Sequence, residues 1–329
     1  MYLFHGAGGE VLYVGKATNV RQRVRSYFGS DDRRKIGPLL RETQRVSCQS
    51  TPNVVVAEVL EMRYLHQLTP RYNRVGTTWR KYCYVHLTTD AWPRLTVVNE
   101  PHRSGVHLGP LPSRAVASQV IDAVHAVVPL RRCSARLACT PRLALGDTPC
   151  APAQLGVAMC PCAGGVDVAA YARAVASATA ALTTTPNLVL DPLWQRVASL
   201  SAQRRYEEAA VARDRATAFA GAIRRQRLAD ALRGAGELEV HLDGVVLRIV
   251  RGVLTEIGEP GRLDAALPLP GPATPPLPAP LPRAAADEVL LLARALDQAG
   301  SRARVLWCSG EWSRPTSPVP QLTRLPSAA

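Results

Sequence analysis

Two short apolar runs separated by a glycine-rich turn open the chain, and they constrain its fold more than anything that follows. Residues 2–4 (Tyr, Leu, Phe) and 11–14 (Val, Leu, Tyr, Val) are rich in aromatic and β-branched side chains, with Gly6, Ala7, Gly8 and Gly9 between them. Such runs flanking a glycine cluster predict a β-hairpin. The hairpin sets Tyr2 and Tyr13 on neighbouring strands. Lys16 follows at once, and Arg21, Arg23 and Arg25 fall in the next segment, where Thr18 or Asn19 can cap a helix running to Tyr27. Phenol oxygens beside a lysine and a guanidinium can hold, deprotonate and neutralise groups around a phosphodiester.

The rest of residues 1–85 reads as a compact α/β unit. A second helix is expected over 35–45, and a longer one capped by Thr51 runs to about Leu68, before Pro70. Short strands are expected at 82–87 and 94–98, and a helix over 113–128. Residues 130–165 are cysteine-rich and irregular; 167–182 form an alanine-rich helix, and 190–233 two helices dense in Arg and Glu. Alternation over 237–257 around Asp243-Gly244 predicts another hairpin. Residues 260–283 read as a proline-rich linker, followed by a helix at about 284–298 and a strand near 304–308.

The 329 residues carry a formal charge of +14, which favours a polyanion as partner. The charge is uneven: residues 1–83 hold 14 Lys and Arg against 6 Asp and Glu, a net of +8. No run of 18 apolar residues suggests a membrane span, and no signal-peptide pattern opens the chain, so a cytoplasmic location is expected. Eight cysteines without an export signal argue for thiols or metal ligands over a disulfide frame.

Glu61 sits among Val59, Leu60, Met62 and Leu65. A carboxylate embedded in an apolar stretch must be paired or bound to a cation, and Mg²⁺ or Mn²⁺ suits oxygen ligands of this kind. Gly15-Lys16 hints at a phosphate-binding P-loop. That motif needs a glycine five positions earlier and Ser or Thr after the lysine, whereas Glu10 and Ala17 stand there. Cys133, Cys139, Cys150, Cys160 and Cys162 cluster within 30 residues; thiolates suit Zn²⁺ or an iron–sulfur cluster, and spacing alone does not choose. Cys48, Cys83 and Cys308 read as core residues.

The N-terminal block resembles the GIY-YIG nuclease domain, with Tyr2-Leu3-Phe4 at the first tyrosine and Leu12-Tyr13-Val14-Gly15 at the YIG. No glycine precedes Tyr2, as that motif would have it; the first strand is clipped or the natural chain begins upstream. The stretch from Glu10 to Phe28 is most similar to the UvrC family of bacterial nucleotide excision repair. The segment from Leu60-Glu61 to Pro70-Arg71-Tyr72-Asn73 is similar to the UvrC stretch in which a glutamate precedes an R-x-Y-N motif. The resemblance implies that Glu61 binds the catalytic metal. It makes Tyr2 or Tyr13 the general base with Lys16 close by, Arg23 the stabiliser of transition-state charge, and Tyr27 and Asn73 members of the site. Arg21, Arg25, Arg71 and Arg74 are the candidate DNA contacts.

Pro129-Leu130-Arg131-Arg132-Cys133 and Pro161-Cys162 resemble the cysteine-rich linker of the same family, in which four cysteines hold an iron–sulfur cluster. The resemblance implies Cys133, Cys150, Cys160 and Cys162 as ligands of a [4Fe-4S] cluster or Zn²⁺, with Cys139 as a substitute. The run from Arg205 to Arg215 resembles the UVR motif, a helical hairpin through which UvrB and UvrC meet. That makes Tyr206, Glu207, Arg213 and Asp214 candidate partner contacts, with Tyr206, Ala209, Ala210 and Phe219 as its apolar seam.

The expected fold class is α+β: a GIY-YIG domain with a central antiparallel sheet at 1–85, a linker region at 86–190, a UVR-like hairpin at 191–233 and a small C-terminal α/β region at 234–329. Nothing resembles the second, RNase H-type nuclease of UvrC. The layout is nearer to short single-site homologues such as Cho, or to the UvrC-like half of actinobacterial fusions with a DnaQ-type exonuclease. The expected function is a metal-dependent endonuclease that nicks damaged duplex DNA, 3′ of the lesion, with UvrB as partner. The alternatives are a cleavage-impaired adaptor for DNA and UvrB, or a truncated fragment of an exonuclease fusion.

Overall fold

The computed structural model describes residues 1–29, 35–73, 76, 78–135, 137 and 148–313. Among these, helices accompany three antiparallel sheets. The chain divides into two compact units: residues 1–80 with the described residues from 228 onward, and residues 81–227.

In the first unit, β1 (Tyr2–His5) and β2 (Val11–Gly15) form the expected hairpin, with Phe4 opposite Tyr13 and Tyr2 opposite Gly15. The turn closes through Gly6 N donating to Glu10 O at 3.0 Å. Helix α1 (Val20–Ser26) is capped by Asn19, whose side chain accepts from Gln22 N. Helix α2 (Ile36–Glu42) ends earlier than expected, because the chain then enters β3 (Arg45–Cys48), which pairs with the other side of β1. No local pattern announces β3; the unpaired edge of β1 recruits it. Helix α3 (Val54–Leu68) is capped by Asn53, not Thr51, and ends at Thr69 in the left-handed region with φ 44°. Phe4, Leu12, Ile36 and Leu39 close a core with the tyrosines of the hairpin and of α1's C-terminal cap.

The same unit contains a second sheet. Strands β7 (Glu237–Leu242), β8 (Val245–Val250), β9 (Val253–Glu259), β10 (Arg262–Ala266) and β11 (Arg304–Cys308) run in the order β10-β9-β8-β7-β11. Asp243-Gly244 makes the expected tight turn, both with positive φ. Strand β10 corrects the linker expected from residue 260: most of that segment's prolines come after the strand, from Pro268 onward. Helix α9 (Arg283–Ala299) buries Ala285, Val289, Leu292 and Leu296.

In the second unit, β4 (Cys83–Leu87) lies between β5 (Leu95–Val98) and β6 (Val106–Leu111). Strand β6 was not legible in the sequence, because Gly109-Pro110 interrupts its pattern. Helix α4 (Arg114–His125), the short α5 (Ala151–Gln154), α6 (Val168–Leu182), α7 (Asn187–Ala202) and α8 (Tyr206–Gly234) follow. Ser113 caps α4 and Asp167 caps α6. Phe219 belongs to the main core of this unit, and Tyr206 is 65% exposed. The seam between α7 and α8 keeps Ala209 of the expected set and pairs it with Leu200 and Ala212. Cys83 is buried as expected, but Cys48 is exposed and Cys308 half-buried. No helix among the described residues is long and apolar enough to cross a membrane.

Candidate active site and cysteine cluster

Three phenols meet beside the hairpin. Tyr2 and Tyr13 come from facing strands, and Tyr27 arrives as the C-cap of α1. Their rings lie 6.1–6.3 Å apart between centroids. The Tyr2 and Tyr27 hydroxyls are 2.7 Å apart, and the Tyr27 hydroxyl donates to that of Tyr13 at 3.5 Å. Tyr2 and Tyr27 are each 1% exposed and Tyr13 is 9%, so Tyr13 is the member with most access to water. Gly15 is required here: a Cβ at that position would stand 2.5 Å from the Tyr2 hydroxyl.

The environment separates the three acidities. Burial, with a hydrogen bond to Tyr27, pushes Tyr2 up to about 12, and the same two causes push Tyr13 higher still. Burial acts on Tyr27 in the same direction, but its hydrogen bonds with Tyr13 and Tyr2 and the charge of Arg23 outweigh it and bring Tyr27 below the usual phenol value. The Arg23 guanidinium lies 5.1 Å from the centre of the Tyr27 ring, and its charge favours ionisation of both Tyr27 and Tyr2. Lys35, which sequence reasoning passed over, stands 4.8 Å from the centre of the Tyr13 ring.

Lys16 leaves the end of β2 toward α3. Its Nζ donates to Glu58 Oε1 at 2.6 Å and lies 3.5 Å from Glu61 Oε2. Glu58 was missed. The signal was available, as a carboxylate three residues before Glu61 shares its helical face. Burial holds the Glu61 carboxyl above its ordinary value, and Lys16 offsets this only in part. Its side chain is 22% exposed. A partly accessible carboxylate whose charge is incompletely compensated fits a hard divalent cation.

Asn73 serves the backbone. Its Oδ1 accepts from Val14 N and its Nδ2 donates to Val14 O, both at 2.9 Å. Tyr72 N donates to Leu12 O at 3.1 Å. Since β2 is the edge of its sheet, the Tyr72-Asn73 segment satisfies the polar groups a further strand would have taken. Arg21 and Arg25 are exposed on α1. Arg71 is exposed and pairs with Glu42. Arg74 lies outside the described residues.

The cysteines converge. The sulfurs of Cys133, Cys150, Cys160 and Cys162 all lie within 4.8 Å of one another, with Cys133–Cys160 at 3.2 Å, Cys160–Cys162 at 3.0 Å and Cys150–Cys162 at 3.4 Å. A tetrahedral ion with metal–sulfur bonds of about 2.3 Å holds its sulfurs roughly 3.8 Å apart, so the four thiols fit a bound metal. Cys139 lies outside the described residues. Arg131, 1% exposed, braces the site: it bonds Asp90 at 2.6 Å, the carbonyls of Trp92, Cys133 and Ala135, and Cys133 Sγ at 3.7 Å. On α8, Tyr206 and Glu207 are exposed, and Arg213 and Asp214 pair with each other at 2.9 Å.

Residues 1–74 match the family model of the UvrC-like GIY-YIG domain, and residues 82–181 that of the UvrC/Cho excinuclease middle domain. A protein of Mycobacterium tuberculosis, named as a bifunctional exonuclease/endonuclease, is 35% identical over 339 residues, covering 97% of this chain and 50% of that protein. The UvrABC system protein C of Desulforudis audaxviator is 31% identical across 69% of this chain and 36% of its own length. That of Syntrophus aciditrophicus is 32% identical across 69% of this chain and 37% of its own length. The chain thus spans half or less of the length of these relatives. No solved structure matches it.

Proposed function

The chain belongs to the UvrC/Cho family through its GIY-YIG and middle domains, and from that premise we propose that it is a metal-dependent endonuclease that nicks damaged duplex DNA in nucleotide excision repair, 3′ of the lesion. The observation that carries this reading is one hairpin with two charged surroundings: its tyrosines meet Tyr27 by hydrogen bonds with Arg23 against that ring, and Lys16, just past the end of β2, meets two carboxylates.

Each part has a task in phosphodiester hydrolysis. Tyr13, the most accessible of the three phenols, faces the attacking water, and Tyr27, behind it and the most readily ionised of them, receives the proton through it. Tyr2 and Arg23 steady the charge that Tyr27 carries, and Arg23 also neutralises charge growing on the phosphate. Glu61 would hold Mg²⁺ or Mn²⁺, which polarises the phosphate and the leaving oxygen. Glu58 and Lys16 fix the charge around that carboxylate. Asn73 and Gly15 keep β2 in place. Arg21, Arg25, Arg71 and Arg74 supply phosphate contacts that position duplex DNA without reading its sequence.

The four cysteines would bind Zn²⁺ or an iron–sulfur cluster as a structural element of the middle domain. The exposed start of α8, with Tyr206, Glu207, Arg213 and Asp214, is the surface offered to UvrB. The test is nicking of a labelled, lesion-bearing duplex with Mg²⁺ or Mn²⁺, with and without UvrB. Wild type should nick, and Glu61→Ala should bind DNA without nicking. A wild-type chain that binds but never nicks would refute the nuclease reading and favour the adaptor.

A further inference from the structure

The described residues beyond 228 lie outside both matched family segments, yet they share one compact unit with the GIY-YIG fold. The reason is visible along α3. At its start, Asn53 caps the helix with Oδ1 while its Nδ2 donates to Leu242 O at 3.1 Å, at the end of β7. Near its middle, Arg63 is 3% exposed and meets Glu288, 0% exposed, on α9. The contact is two-pronged: Nε to Oε2 at 2.9 Å and Nη2 to Oε1 at 2.5 Å. Arg63 also donates to Leu269 O at 2.6 Å in the proline-rich segment and to Leu254 O at 2.5 Å on β9. Leu254 N closes the ring by donating to Glu288 Oε1 at 2.9 Å. One turn on, His66 Nε2 lies 2.9 Å from Asp287 Oδ2.

A single guanidinium thus ties the nuclease helix to three elements of the C-terminal region. Planar, multiply donating recognition of this kind sets both the rotation and the axial register of the helix that carries it. Glu61 is two residues from Arg63, about 200° around the axis. Arg63 is therefore on the far side of the helix from Glu58 and Glu61, which meet Lys16, and His66 is on the flank between them. The proline-rich segment is fitted to the lock: a Cβ on Gly271 would stand 2.7 Å from Arg63 Nη2 and 2.2 Å from Val253 Cγ1.

We infer that the C-terminal α/β region is the template that positions α3, and that Arg63 and Glu288 are positioning residues for the Glu61 carboxylate. This rests on the nuclease reading for its effects on Mn²⁺ binding and on cleavage. The lock itself predicts an effect on the helix that does not depend on cleavage.

The experiment uses the full chain and four variants: Arg63→Met, Glu288→Gln, Gly271→Ala, and the double replacement Arg63→Met with Glu288→Met. Amide exchange across residues 54–68, Mn²⁺ binding followed by electron paramagnetic resonance, and the separate kcat and KM of nicking are read for each. The expected result for Arg63→Met and Glu288→Gln is at least ten-fold faster exchange in α3, at least five-fold weaker Mn²⁺ binding, and a fall in kcat with KM for DNA unchanged. Gly271→Ala keeps both charged partners and should show the same pattern more weakly. The double replacement removes the buried unpaired charge, so it recovers folding. It leaves Leu254 O and Leu269 O without their donor, so Mn²⁺ binding and kcat stay low. A folded Arg63→Met chain with wild-type exchange and Mn²⁺ affinity overturns the proposal, as does full recovery of both kcat and Mn²⁺ affinity in the double replacement. Faster α3 exchange in a chain whose wild type never nicks supports the lock while refuting the nuclease reading.

Discussion

Replacing Asn73 with alanine separates a clamp from a chemical role. The wild-type amide makes two 2.9 Å hydrogen bonds to the backbone of Val14, a residue whose exposure is 0%. Each such bond contributes about 1 kcal/mol net, and a polar group left without a partner costs about 1–3 kcal/mol. Because β2 is an edge strand, water replaces part of what is lost. The expected cost is about 2 kcal/mol, roughly a thirty-fold rise in local opening of β2. Amide exchange at Val14 and its neighbours measures that opening directly, and kcat for nicking should fall with it as Tyr13 and Lys16 lose their common support. Asn73→Asp sharpens the argument. The introduced carboxylate still accepts from Val14 N but sets an oxygen against Val14 O, so its protonated form is favoured in the folded chain and its pKa is raised. Stability is therefore retained below the unfolded carboxyl pKa and lost as pH rises through the higher folded value. If Asn73→Ala raises opening less than three-fold while nicking collapses, the clamp is the wrong account and Asn73 acts on the substrate.

Tyr27→Phe removes the phenol held below its usual pKa and leaves Tyr2 and Tyr13, both raised chiefly by burial. The rising limb of the pH–rate profile should then move upward and kcat should fall by ten-fold or more; an unchanged profile would exclude Tyr27 from the proton's path. Cys160→Ser, at the most buried of the four sulfurs, should abolish stoichiometric metal by elemental analysis, whereas Cys48→Ser, at an exposed thiol, should not. Burial, helped by His107 and His102, holds His86 down to about 4, and burial beside Arg132 does the same to His125. The unfolded chain takes up these protons first, so their contribution is complete above about pH 6.5 and is lost as pH falls toward 4. A melting temperature unaffected by His86→Gln at pH 5 would contradict this.

How much of this could be read from the chain depends on sequence distance. The hairpin, the cap of α1 at Thr18 or Asn19, the seat of Tyr2 and Tyr13, and the Asp243-Gly244 turn are local: neighbouring φ and ψ preferences and alternation specify them. The four cysteines could be nominated because thiols are scarce and chemically distinct, and they do converge. Strand β3 could not be read, because its pairing with β1 is a property of an open edge, not of the run from Arg45 to Cys48. Nor could the exposure of Cys48 and Tyr206, which depends on what else packs nearby.

Residue types and their order already say which groups are available for chemistry at the hairpin and how they follow one another. Local steric preference and residue type are enough for that. Tertiary structure alone decided how those groups are tuned and held. It made Tyr27 the most acidic phenol by stacking two other hydroxyls on it, and joined Glu58 to Lys16. It turned Asn73 toward the backbone, and brought Glu288 across 225 positions to Arg63. Such partners are chosen by packing: a buried charge must find its counterpart wherever the fold places one, and no spacing rule along the chain encodes where that is.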